Sequence, residues 1–313
     1  MISRIFPRIM QERSATATIW LLSFAVPLLT VGLAIGLTLR SLPILRDNSL
    51  IDLLTGTTWR PMAGEFGFLP FIVGTIAVTV VAMVISAPIC LLAALHLAEY
   101  AGSRTRTLLR PLIDLLAGIP AVVYGLFGIL VVVPAVGRHI APFAESHLYF
   151  IPWLSPQQHA TGYSILAGGM VLALMVSPFI ISVAEDALQA IPVGVREASL
   201  SLGATSWETS KYVSLRAALP GLVGAVVLGF SRTLGETMAV LMVVGNVAQI
   251  PESIFDSAYP LTALIANNYG EMMSIPLFDS ALMLASLLLL VVVALFNFAA
   301  QMLVLAVRKR AGE

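Results

Sequence analysis

Charged residues occur at long intervals along this chain, and what lies between them is apolar. No Lys, Arg, Asp or Glu falls between Arg13 and Arg40, Glu65 and Glu99, Asp114 and Arg138, Glu145 and Glu185, or Asp279 and Arg308. A helix needs about 20 mostly apolar residues to cross a bilayer, and each of these runs is long enough. The run after Glu145 opens with Pro, Gln and His, which places the start of its helix near Tyr163. One further apolar stretch, from about Leu219 to Asn246, carries two charges, Arg232 and Glu236. The runs are continuous rather than alternating, so helices are expected and not a barrel. The pattern predicts an all-α membrane protein with six transmembrane helices.

The connecting segments are asymmetric in charge. With the N-terminus inside, the inner segments hold Arg4, Arg8, Arg13, Arg104, Arg106, Arg110, Arg196, Lys211, Arg216, Arg308, Lys309 and Arg310. The outer loops hold only Arg40, Arg46, Arg60 and Arg138, and the loop from Val247 to Phe278 has no basic residue. Lys and Arg concentrate on the cytoplasmic side of membrane proteins, so both termini are expected in the cytoplasm. The segment from Gly137 to Thr161 is rich in Pro and aromatics and reads as an ordered external cap. Its His139, His147 and His159 lack metal-ligand spacing. Asp114 is expected to pair with Arg110 one turn earlier, and Pro120 and Pro178 to kink the third and fourth helices.

Composition agrees with this frame. Of 313 residues, 58% are hydrophobic and 11% charged, with a mean hydropathy of +0.95. Soluble domains average about 25% charged residues, so a soluble enzyme and a disordered chain are both excluded. The 17 basic and 17 acidic residues cancel, which argues against nucleic acid as a partner. The single cysteine, Cys90, rules out an intrachain disulfide framework and a thiolate cluster. The first apolar run exceeds the roughly 7–15 residues of a signal peptide core and is expected to stay as an anchor.

The longest inner segment runs from Glu185 to Pro220. Its pattern predicts two short helices along the membrane face. Pro192 suits the start of the first and Gly203 its end, while Ser206 is a candidate cap for the second. Apolar Val195, Leu200 and Leu202 alternate with Arg196 and Glu197, as on a helix that docks into a partner's groove. The same pattern fits a solvated interfacial helix with no partner.

Within this segment Glu197-Ala198-Ser199, three residues, then Gly203, resembles the EAA motif of ABC importer permeases. Ser199 stands where the motif has a second Ala, and Arg216 where it has a Pro. Leu115-Leu116-Ala117-Gly118-Ile119-Pro120-Ala121-Val122-Val123-Tyr124-Gly125 resembles the third-helix signature of phosphate-specific permeases. Thr233-Leu234-Gly235-Glu236-Thr237-Met238-Ala239-Val240 resembles the fifth helix of their PstC-type subunit. The resemblance covers roughly residues 65–308. It implies the type I ABC importer (MetI-like) fold, with residues 65–313 as the transmembrane domain and residues 1–64 as a peripheral first helix and external loop. It implies ATPase coupling through Arg196, Glu197, Ala198, Ser199, Leu202 and Gly203 in a loop of residues 185–216. It also implies a PstA-type permease as membrane partner, a PstB-type ATPase dimer and a PstS-type phosphate-binding protein.

Arg232 and Glu236 stand inside the predicted fifth span. Arg232 lies about 24 Å along a straight helix from Arg216, and a spacing of four puts both on one helix face. An Arg at the bilayer centre costs at least about 2.5–3.5 kcal/mol, so a lipid-facing position is disfavoured. One reading is an internal ion pair that locks helix packing. The other is a translocation pathway, in which the planar guanidinium suits a multivalent oxyanion. The phosphate-permease resemblance favours the pathway, with Ser231 and Thr237 as neighbouring hydroxyls and Glu236 pairing with Arg232 until the anion arrives. No P-loop is present: the two lysines, Lys211 and Lys309, follow Ser210 and Arg308, so the Gly-Lys-Ser/Thr pattern is missing. ATP and Mg are expected on a separate subunit and no cofactor on this chain. The remaining alternatives are a permease for sulfate or molybdate, a membrane scaffold that does not transport, and an ion-driven carrier.

Overall fold

The structure, a computed structural model, describes residues 5–155, 161–270, 275 and 277–311. His159 and the last residues of the Pro-rich segment lie outside them. The chain forms α1 (Ile5–Asp47), α2 (Leu50–Thr55), a small antiparallel hairpin of β1 (Trp59–Arg60) and β2 (Glu65–Phe66), and α3, which runs from Leu69 to Tyr100. Then come α4 (Ser103–Ala117), α5 from Ala121 to His147, α6 (Ile165–Gln189) and α7 (Val193–Ser201). The chain continues through α8 (Ser206–Ala217), α9 (Leu219–Leu234), α10 (Met238–Val243), α11 (Leu261–Asn268) and α12 (Phe278–Ala311).

Five of these helices are long and apolar enough to cross a membrane: α1 from Leu22, α3, α5, α6, and α12 to Val307. The sixth predicted span departs from expectation. The helix beginning at Leu219 stops at Leu234, capped by Gly235, and resumes as α10 only at Met238. Sixteen residues rise about 24 Å, short of a full hydrocarbon core, so α9 alone does not reach across it, and α10 continues the chain beyond the interruption. At its other end α9 meets α8 at a bend of 68°. The path to Arg232 therefore starts at Leu219 and not at Arg216, and Arg232 lies about 20 Å along it.

The centre of the bundle is the α3–α6 pair. Gly169 permits it: a Cβ there would sit 2.9 Å from Val81 Cβ and 3.3 Å from Ala82 N, so the two backbones approach as only glycine allows. α9 packs on both helices, and α10 packs on α5. α1 touches α12, and none of its apolar window is buried. A helix so apolar and so uncovered presents its side chains outward from the bundle.

Around these spans the connecting segments are folded. Trp59 packs edge-on against Phe66, Phe68 and Phe71, at 5.5, 5.5 and 4.9 Å between ring centroids. With Ile44, Leu53 and Phe278 these rings close one end of the bundle. The segment after α10 covers the N-terminus of α6: Ile165 and Leu166 donate their backbone N–H groups to Asp256 O and Ile254 O, and Ser164 caps Ala167 N. Four N–H groups lack partners at every helix start; here the loop supplies two acceptors and the Ser164 hydroxyl a third. The external cap begins later than expected. α5 continues through Val136–Ile140 to His147, so His139 and His147 are helical. Pro120 does not kink a span; it precedes α5, at a break from α4 over Gly118 and Ile119. Tyr124 bridges that break by donating to Leu116 O at 2.7 Å.

Candidate functional site

Two places carry the residues singled out from the sequence. The first is the joint between α9 and α10. α9 ends at Leu234 because Gly235 terminates it, and Glu236 lies in the turn beyond. The four-residue spacing therefore does not place Glu236 on the helix face of Arg232, and the two make no ion pair within 4.0 Å. They line one crevice instead, together with Leu172, Met175, Val176 and Thr233. Arg232 is exposed in the single chain, and its guanidinium carbon lies 5.5 Å from the Phe179 ring centroid. Glu236 Oε1 accepts the Thr237 backbone N–H at 3.1 Å, and Glu236 O accepts the Thr262 hydroxyl at 3.0 Å. The geometry presents a guanidinium on an aromatic face and a carboxylate held by its own turn, both open to a common crevice.

Ser231 does not join them. Its hydroxyl lies 2.5 Å from Asn297 Oδ1 on α12 and also reaches Val227 O. Beside this contact Phe230 stacks on Phe296 at 3.9 Å. Ser231 fastens α9 to the final helix. The Thr237 hydroxyl makes a 3.4 Å contact to Gly235 O. The structure adds residues that the sequence reading passed over. Thr75, Thr79 and Thr262 line an adjoining crevice that shares Leu172, Thr233 and Glu236. Thr75 accepts from Leu261 N at 2.9 Å while donating to Phe71 O. The available signal was a pair of threonines four apart in an otherwise apolar run.

The second place is α7 and α8. α7 spans Val193–Ser201 behind Pro192, and Gly203 ends it at φ +90°, both as predicted. The cap of α8 is Thr205 and not Ser206. Thr205 accepts Glu208 N while the Glu208 carboxylate accepts Thr205 N at 2.8 Å, a reciprocal capping box. The Thr205 backbone N–H foremost, and its hydroxyl, which also donates to that carboxylate at 2.8 Å, hold the Glu208 carboxyl below its ordinary range. Ser199 and Thr209 hydroxyls meet at 2.9 Å and join α7 to α8. Glu197, Ala198 and Gly203 are exposed, and Leu202 is 91% exposed. Arg196 is not on that face. Its guanidinium turns inward to Glu99 at 2.9 Å. Asp114 makes no ion pair among the described residues; Arg110 pairs with Asp186 at 2.9 Å.

The family described as "Binding-protein-dependent transport system inner membrane component" matches residues 86–312. The chain belongs to this family. A probable ABC transporter permease protein, YqgH, of Bacillus subtilis is 40% identical over 77% of this chain and 74% of its own length. The phosphate transport system permease protein PstC of Xylella fastidiosa is 34% identical over 84% of this chain and 81% of that protein. Inward-facing structures of the MetNI methionine ABC transporter share the fold. One has a TM-score of 0.56 and 23% identity over 80% of this chain and 99% of that chain. This family member is a multi-pass membrane protein and a transporter subunit, with the MetI-like fold that its motifs implied.

Proposed function

We propose that this chain is the PstC-type permease subunit of an ATP-driven importer of inorganic phosphate. The observation that carries the reading is Arg232. It is a cation at membrane depth, with no carboxylate within ion-pair distance among the described residues and a crevice before it. A charge so placed is too costly to face lipid, and a guanidinium donates two parallel hydrogen bonds to phosphate. Relatives named as phosphate permeases, at 33–34% identity over more than four fifths of this chain, support the substrate class.

In this reading α7 is the coupling helix. Glu197, Ala198, Ser199, Leu202 and Gly203 meet a PstB-type ATPase dimer, which holds ATP and Mg, while Arg196 acts from behind. A PstA-type permease pairs with this chain in the inner membrane, and a PstS-type protein delivers phosphate from outside. Both termini lie in the cytoplasm. Movement of α7 opens the crevice at Arg232 to one side and then the other, as alternating access requires.

Reconstitution of the complete complex tests this. Arg232→Gln is expected to lower phosphate uptake by about a hundredfold or more, the order of one lost charge-assisted bidentate contact, with all four subunit types still co-purifying. Uptake that survives Arg232→Gln overturns the role of Arg232. Equal competition by sulfate or molybdate overturns the choice of phosphate.

A further inference from the structure

Four charged side chains meet where α3 and α6 end beside α4 and α7. Arg196, on α7, directs Nε and Nη2 to the carboxylate of Glu99 at 2.9–3.3 Å. Its Nη1 and Nη2 donate to Ile191 O and Leu188 O, at 2.9 and 2.7 Å, at the end of α6. Arg106, on α4, does the converse. It donates to Leu97 O and Ala98 O, at 2.7 and 2.9 Å, in the last turn of α3, and its Nε faces Glu185 of α6 at 3.6 Å. One arginine takes its carboxylate from α3 and its carbonyls from the end of α6 and the turn after it. The other takes carbonyls from α3 and a carboxylate from α6. The Glu99 and Glu185 side chains are 7% and 2% exposed, and Gln189 donates to Glu185 at 2.6 Å.

The local chemistry explains the arrangement. The last turn of α3, His96–Tyr100, is a wide π-turn, and helix ends leave carbonyls without partners. Cations at those ends are favoured, and carboxylates this buried need partners. Among the described residues no comparable charged tie holds the start of α9. There the chain bends by 68°, and the buried Ser214 hydroxyl has no hydrogen-bond partner.

We propose that Glu99, Glu185 and Arg106 are positioning residues that form, with Arg196, a crossed latch making α7 rigid with α3 and α6. A push on α7 then moves α3 and α6 as one body, and the chain yields at the α8–α9 bend. This rests on the proposed function only in taking α7 as the element that is pushed.

The test uses the complete complex with Cys90→Ser. Glu99→Gln leaves the Arg196 guanidinium without its carboxylate and is expected to reduce phosphate imported per ATP hydrolysed by about tenfold or more, in complexes that still contain the ATPase. Glu99→Cys with Arg196→Cys is expected to show the same defect, and a short reductant-cleavable bis-methanethiosulfonate joining the two thiols to restore coupling. Wild-type coupling in Glu99→Gln overturns the latch. So does loss of remaining transport on cross-linking, because a latch that must open is not a rigid one. If Glu99→Gln does not assemble, the cross-linked pair decides. A wild-type complex that hydrolyses ATP in response to its loaded binding protein but imports no phosphate sinks the substrate assignment alone.

Discussion

Arg232 and Ser231 are adjacent, yet they face different neighbours. Arg232 looks across its crevice to α6, while the Ser231 hydroxyl is committed to Asn297. A hydroxyl so engaged works in helix packing. Ser231→Ala is expected to cost about 0.6 and at most about 1.7 kcal/mol of stability, the range for interhelical hydrogen bonds in membranes. Phosphate uptake per assembled complex should stay within about twofold, a change of under 0.5 kcal/mol; a thermal unfolding assay alongside uptake checks both. Gly169→Ala is expected to do more. The added methyl has Val81 Cβ and Ala82 N in its way, and overpacking costs about 1–3 kcal/mol. The depth and rarity of Arg232 were legible in the sequence because charge is scarce. The orientation of Ser231 was not, since a hydroxyl among apolar residues reads alike whether it meets an ion or a neighbouring helix.

Elements were legible where composition changes and hidden where it does not. α7 has Pro192 before it and Gly203 after it, and its limits follow from those residues. The interruption between α9 and α10 has no Pro to announce it, only Gly235 among the polar residues from Ser231 to Thr237, with apolar helix resuming at Met238. A helix-face argument drawn across it therefore failed for Arg232 and Glu236. The start of α8 has two hydroxyl residues in succession, of which Ser206 was expected to cap it; Glu208, three residues after Thr205, selects Thr205. Thr205→Ala is expected to destabilise the first turn of α8 by about 0.5–2 kcal/mol, seen as faster amide exchange at Glu208. The same cap has a pH dependence. The native Glu208 carboxyl titrates below its ordinary range, so its contribution is complete above the unfolded value and is lost as pH falls through the lowered native one. Amide exchange in α8 should therefore be flat at neutral pH, once corrected for intrinsic rates, and rise only below the usual glutamate range.

At the scale of the whole molecule, the number of apolar runs and the placing of charge anticipated the bundle, but not which connecting segments fold. The first 64 residues read as an anchor and a loop. Part of that loop builds an aromatic cluster on Trp59 that shares Phe71 and Phe278 with the spans. Such contacts join positions more than two hundred residues apart, and no local pattern reports them. The bundle still sets the two ends apart, with the hairpin at one and α7 at the other. Met62 in the hairpin is 81% exposed, and Leu202 after α7 is 91% exposed. The native thiol of Cys90 is fully buried, so it stays silent toward an impermeant maleimide. If basic residues gather on the cytoplasmic side, Met62→Cys should react from outside in intact cells and Leu202→Cys only after the membrane is opened. The reverse labelling would invert the orientation, and with it the assignment of α7 to the ATPase. Labelling of both from outside would mean that an even number of crossings separates them. That would contradict three full spans, α3, α5 and α6, between the hairpin and α7.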